Sequence, residues 1–167
     1  VASFSFNRKQ TVAHQLKKWL FATGIVLAIC GPTCNALAAD CFATVESDDA
    51  LRFTPSHIEV PASCQDFTIK LTHVGRLPKA AMGHNWVLVK SSDLEGVART
   101  GMLAGAAHEY IDPTDRRVIA HSGLIGSGGS TSVTFAVNKL QAGQSYAFLC
   151  TFAGHSPIMQ GTVSLKP

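Results

Sequence analysis

The sequence predicts an all-β sandwich or barrel with one short helical flap, and three observations predict it. Residues 64–73 alternate cleanly, with Phe67, Ile69, Leu71 and His73 on one face and Asp66, Thr68, Lys70 and Thr72 on the other. Residues 131–137 alternate too, as do residues 144–149 and 161–165, and residues 85–89 form an apolar, β-rich run. Turn chemistry separates these runs at Gly75, Pro78, residues 126–130 and residues 141–143. Only one segment carries a helical period.

The first thirty-eight residues follow different rules. Arg8, Lys9, Lys17 and Lys18 precede an apolar run, residues 20–29, and the small-residue site Ala36-Leu37-Ala38 follows. Basic, apolar and A-x-A segments in that order are expected of a cleaved secretory signal, residues 1–38. The run is too short to span a bilayer comfortably. No Arg-Arg pair occurs in the basic part, which favours export of the unfolded chain to the periplasm. Residues 39–167 then form one domain, with no internal repeat and no linker. They hold ten Lys and Arg against eleven acidic residues, a net charge of −1. The basicity of the whole chain therefore belongs to the targeting segment, and nucleic-acid binding has no electrostatic support.

Within this domain the sequence Ser92-Asp93-Leu94-Glu95 matches a capping box, and Leu94, Val97, Ala98, Gly101, Met102 and Gly105 recur at helical spacing. The glycines predict a marginal helix, a flap over the sandwich. Cys30 and Cys34 leave with the signal, so Cys41, Cys64 and Cys150 remain, an odd number in a disulfide-permissive compartment. Cys41 and Cys64 both flank strand-like segments and form the natural pair. Cys150 is left free.

The chemistry concentrates around that thiol. Cys150, His155 and Met159 fall within ten residues on a loop between two strand-like runs, where a rigid scaffold can hold them in convergence. His84 is the best candidate for a further imidazole, and Gly83, without a side chain, lets a backbone carbonyl approach. Thiolate, two imidazoles and a weak thioether make the donor set of a copper electron-transfer site. Zinc suits Cys and His as well, but the thioether favours copper. A Cys150–His155 nucleophile and base is the enzymatic alternative. It lacks an orienting Asn or Asp and an adjoining glycine-rich oxyanion loop. Among the other histidines, His73 is expected to be buried and hydrogen-bonded in the core, and His57, His108 and His121 to lie at the surface. Trp86 shares the phase of His84 and is expected to pack in the core.

Longer stretches carry a resemblance: residues 77–79 (Leu-Pro-Lys), 82–88 (Met-Gly-His-Asn-Trp-Val-Leu), 118–121, 124–128, 132–135 and the Cys150 loop. From residue 40 to residue 166 the chain resembles the bacterial blue copper proteins of the cupredoxin family. The resemblance implies an eight-stranded Greek-key barrel or sandwich with one helical flap. It implies one copper ion cycling between Cu(I) and Cu(II), held by His84, Cys150 and His155, with Met159 and the Gly83 carbonyl as axial donors. It places a disulfide at Cys41–Cys64, as cysteine counting also suggests, and thiolate-directed amides at Asn85 and Phe152. It implies electron exchange at the edge of His155 through a docking patch of Leu77, Ala81, Met82, Met102, Phe152, Gly154 and Ile158. The implied partners are redox proteins such as c-type cytochromes and periplasmic oxidoreductases, met by a monomer or a weakly self-associating protein, not an enzyme. Copper sequestration or delivery is the alternative. Four positions depart from the family pattern: Ala153 stands where proline is usual, Pro157 where a small residue is common, and Leu149 and Leu51 replace larger or more flexible residues.

Overall fold

A computed structural model describes residues 40–167. The expected signal, residues 1–38 with Cys30 and Cys34, lies outside the described residues. The chain forms β1 (Phe42–Ser47), β2 (Phe53–Thr54), β3 (His57–Pro61) and β4 (Asp66–His73), followed by a one-turn helix α1 (Lys79–Met82) and β5 (Val87–Lys90). Helix α2 (Leu94–Ala104) follows, then β6 (Ala120–His121), β7 (Ser130–Ala136), β8 (Tyr146–Leu149) and β9 (Gln160–Lys166). One sheet has the order β2-β1-β4-β7 and the other β3-β9-β8-β5-β6. Strands β1 and β4 run parallel, as do β3 and β9, while the remaining neighbours are antiparallel.

Two residues, Pro55 and Ser56, explain how eight expected strands become nine segments. Proline cannot donate to a ladder, so pairing stops there and the chain passes from one sheet to the other. Strand β2 pairs with β1 and β3 with β9. Taken as one interrupted strand, they restore the count of eight.

Burial explains which patterns were readable. Strand β4 buries Phe67, Ile69, Leu71 and His73 and leaves the alternate residues more open, as its alternation predicts. Strands β5 and β8 are buried on both faces. Trp86, Leu88 and Phe148 face the main core, whereas Val87, Val89, Ala147 and Leu149 form a second cluster with Val97 and Ile111. Helix α2 supplies Val97 and so covers the outer face of this sheet. A strand covered on both sides reads as a continuous apolar run. The alternation expected at residues 144–149 therefore gives way to burial of all four β8 residues.

At the centre of the main core, Trp86 stacks between Phe135 and Phe148, with ring centroids 6.3 and 5.4 Å away. Its indole nitrogen has no hydrogen-bond partner, consistent with packing as its role. The capping box does not form. Ser92 instead lies in a 3-10 turn, Ser91–Asp93, and Asp93 precedes α2 without a side-chain cap bond. At the other end Gly105 takes φ 70°, a left-handed stop that favours glycine. The Cys41–Cys64 disulfide is formed, with a Cα–Cα distance of 5.7 Å, and ties the start of β1 to the turn before β4.

Candidate metal centre

Cys150 follows β8 directly, and Met159 precedes β9. The backbone closes the loop between them: the Cys150 N–H donates to the Met159 carbonyl at 3.0 Å. Within the loop, the His155 N–H donates to Phe152 O and the Met159 N–H to His155 O, so the segment is a set of tight turns. Gly154 supplies φ 81°. His84 arrives from another part of the chain. It follows α1 and Gly83 and exchanges both backbone hydrogen bonds with Ile125, 2.9 Å each.

These elements bring the two loop donors together with His84, which lies 66 positions before Cys150. The ligating atoms of His84, Cys150 and His155 all lie within 4.8 Å of one another, and all three residues are buried. Cys150 Sγ is 3.6 Å from His155 Nδ1 and 3.9 Å from His84 Nδ1. An ion bound to a thiolate at about 2.3 Å and an imidazole at about 2.0 Å in a trigonal plane would hold those atoms about 3.7 Å apart. The residues present therefore fit an ion between them. The Gly83 carbonyl lies 3.9 Å from Sγ on another side. A side chain at Gly83 would meet the Lys79 carbonyl at 2.6 Å and Leu124 Cδ2 at 3.0 Å, so the packing of α1 and Leu124 leaves room only for glycine here. Met159 is completely buried at the end of the same loop.

The orientation of His84 is set by its other nitrogen. Nε2 lies 3.0 Å from the Asp48 carbonyl, which only an Nε2–H can satisfy. Nδ1 therefore carries the lone pair facing Cys150, as a metal ligand requires. Burial, followed by the neighbouring His155 and His73, pushes the His84 pKa down to about 4. Burial also lowers the pKa of His155. It pushes the Cys150 thiol up to about 11, opposed by the backbone amides of Asn85 and Phe152, which hydrogen-bond to the sulfur. Without a cation the site is thus a neutral thiol beside neutral imidazoles. A bound cation reverses the preference and favours the thiolate.

A polar frame supports the thiol, and sequence reading recovered only part of it. Asn85 contributes its side chain as well as its amide. Its Oδ1 accepts the Thr151 N–H at 2.9 Å, and its Nδ2 donates to Thr151 Oγ1 at 2.9 Å and to the Glu109 carbonyl at 3.0 Å. The Thr151 hydroxyl donates to the Tyr110 carbonyl at 2.6 Å. Thr151, Glu109 and Tyr110 carry no motif of their own; the neighbour of a candidate ligand, Thr151, was the one available signal. The Phe152 ring lies 4.5 Å from the His155 ring and 4.6 Å from that of Tyr110.

Two expectations need correction. His73 is buried, with its ring 4.8 Å from that of His84, but neither ring nitrogen has a hydrogen-bond partner; Nε2 lies 3.5 Å from Asp49 Oδ1. Strand alternation predicts burial but does not supply a partner. Phe152 is buried beneath the expected docking patch, because its ring is committed to His155 and Tyr110. Leu77, Ala81, Met102, Gly154 and Ile158 are exposed and Met82 is half-buried. Leu103, which was not anticipated, is the most exposed large apolar residue among the described residues, at 76%. His155 itself shows 6% of its surface, an edge and no more. His57, His108 and His121 are exposed as expected.

Comparison with known proteins agrees with this geometry. The family profile for "Copper binding proteins, plastocyanin/azurin family" matches residues 39–166. Azurin of Pseudomonas aeruginosa is 50% identical over 130 residues, covering 78% of this chain and 88% of that protein. Azurin of Pseudomonas chlororaphis is 52% identical over 128 residues, covering 77% of this chain and all of that protein. Among solved structures, an azurin from the methylotroph Methylomonas sp. strain J superposes with a TM-score of 0.74 at 44% identity, covering 77% of this chain and 100% of that one. With its cupredoxin fold and its buried His–Cys–His cluster, this chain belongs to the plastocyanin/azurin family of copper-binding proteins.

Proposed function

We propose that the protein is a one-electron carrier whose copper ligands are His84, Cys150 and His155, with Met159 and the Gly83 carbonyl as axial donors. The observation that supports this most directly is the buried cluster of one thiol and two imidazoles with its donor atoms within 4.8 Å. Copper, when bound, supplies the Cu(I)/Cu(II) couple. The protein's part is to keep the donors fixed, so that little rearranges when an electron arrives or leaves. The Asp48 carbonyl orients His84, the Asn85–Thr151 bonds fix the loop that carries Cys150, and the Asn85 and Phe152 amides favour the thiolate. Burial excludes water.

The edge of His155 is the route for electrons, and the exposed Leu77, Ala81, Met102, Gly154 and Ile158 with half-buried Met82 are the docking patch. A small apolar patch suits brief contact with redox proteins such as c-type cytochromes or periplasmic oxidoreductases. A single enclosed site favours carriage over copper storage or delivery, which would use several accessible soft ligands. Residues 1–38 are read as a secretion signal and the carrier as periplasmic. The basic, apolar and A-x-A order supports this, and so does the start of the family match at residue 39.

Stopped-flow mixing of the reduced, copper-loaded protein with an oxidised c-type cytochrome tests the proposal. The carrier reading expects rapid second-order oxidation that slows when Met102 or Ile158 is replaced by a charged residue. No transfer to any of several cytochromes, with tight one-way copper retention, would favour sequestration.

A further inference from the structure

Glu109 holds no place in the donor set, yet it touches three segments that converge there. Its Oε1 accepts the Lys79 ammonium at 2.8 Å, and its Oε2 accepts the Leu124 N–H at 3.2 Å. Its carbonyl accepts Asn85 Nδ2 at 3.0 Å. Lys79 begins α1, the helix that ends at Gly83. Leu124 packs its side chain against Gly83, where a Cβ would lie 3.0 Å from Leu124 Cδ2. The backbone of Glu109 and Tyr110 is strained: φ is 52° and 59°, two successive left-handed residues, neither of them glycine. Such conformations persist only where their surroundings impose them. Here the strain has a product, because the two carbonyls it presents are the acceptors for Asn85 Nδ2 and the Thr151 hydroxyl.

We propose that Glu109 is a positioning residue for the metal centre. Its carboxylate pins the left-handed Glu109–Tyr110 pair between α1 and the Leu124 segment, and through Asn85 and Thr151 it fixes the amides aimed at Cys150. The Lys79 ion pair is half-exposed and contributes little to stability by itself. The bond to the Leu124 amide carries the geometry. This inference rests on the copper-site reading, so its test includes a readout in the metal-free protein.

The experiment compares the wild type with Glu109→Ala, Glu109→Gln and Lys79→Gln. In the metal-free proteins it follows amide exchange at Leu124 and Thr151 and the reaction rate of Cys150 with a thiol reagent. Glu109→Ala should raise these rates about tenfold, a local opening, while Lys79→Gln and Glu109→Gln, which keep an acceptor for Leu124, stay near the wild type. Copper affinity of Glu109→Ala should fall about tenfold, as for other outer partners of metal ligands. Unchanged exchange and thiol reactivity in Glu109→Ala would overturn the inference, as would a loss that Glu109→Gln fails to rescue. A wild type that bound no copper would sink the site reading itself, and the metal-free comparison would still decide the role of Glu109.

Discussion

Gly101 is where α2 meets the metal loop, and an added methyl group there has a calculable effect. A Cβ at Gly101 would lie 2.5 Å from the Tyr110 carbonyl oxygen and 2.8 Å from Thr151 Cβ. Both obstacles resist movement: one is backbone, and the other belongs to the residue bonded to Asn85. Overpacking of this kind costs about 1–3 kcal/mol. Displacing the Tyr110 carbonyl also weakens its 2.6 Å bond from the Thr151 hydroxyl, a further loss of about 1 kcal/mol. Alanine recovers about 1 kcal/mol of helix propensity. The expected net loss for Gly101→Ala is about 2 kcal/mol. The comparison lies in the same helix: at Gly96 the added methyl would meet only the end of the Arg117 side chain, which can shift at the expense of part of its pairing with Asp115. Gly96→Ala should therefore stay within about 1 kcal/mol of the wild type, the gain in helix propensity offsetting the weakened pair. Guanidinium denaturation of the metal-free proteins, read as midpoint shifts at constant slope, measures both. Equal midpoints for the two variants would refute the packing argument.

Removing the Cys41–Cys64 disulfide by paired serine substitution should cost about 3 kcal/mol, given its closed loop of separation 23; a calorimetric Tm unchanged from the wild type would contradict this. Asp115 is held well below the usual carboxylate range, first by the hydrogen bond from Arg117 and also by Thr100. A carboxyl depressed in the folded state stabilises above its ordinary pKa and loses that contribution as pH falls through the folded value. The denaturation midpoint should therefore fall in acid, below about pH 4, and Asp115→Asn should flatten that dependence; an unaltered acid slope would be contrary. Cation binding at neutral pH should expel one proton, from the Cys150 thiol, because His84 with its pKa near 4 is already unprotonated. Calorimetry in buffers of different ionisation enthalpy reads that number, and a value of zero would contradict the thiol assignment.

How much of this was legible depended on the reach of each signal. The Cys150 loop was readable because its donors are local in sequence, and β4 because one face is buried and the other open. Strand β8 lost its alternation to the second layer formed by α2, which no local pattern announces. The Ser92–Glu95 capping box failed because the preceding strand enters through a 3-10 turn. His73 showed its burial in its phase but not its lack of a partner. The frame of Glu109, Tyr110 and Thr151 was hidden for a different reason. It is built mainly from the backbone carbonyls of two left-handed residues, Glu109 and Tyr110, which lie 24 positions from Asn85 and 41 from Thr151 respectively, and such contacts leave no spacing to read.

The most direct test of the account is the visible absorption spectrum of the purified protein during titration with Cu(II), followed by ascorbate. The account predicts an intense blue band that saturates at one equivalent, bleaches on reduction, returns on reoxidation and is absent from Cys150→Ser. No such band in the wild type, or a band that survives in Cys150→Ser, would contradict it.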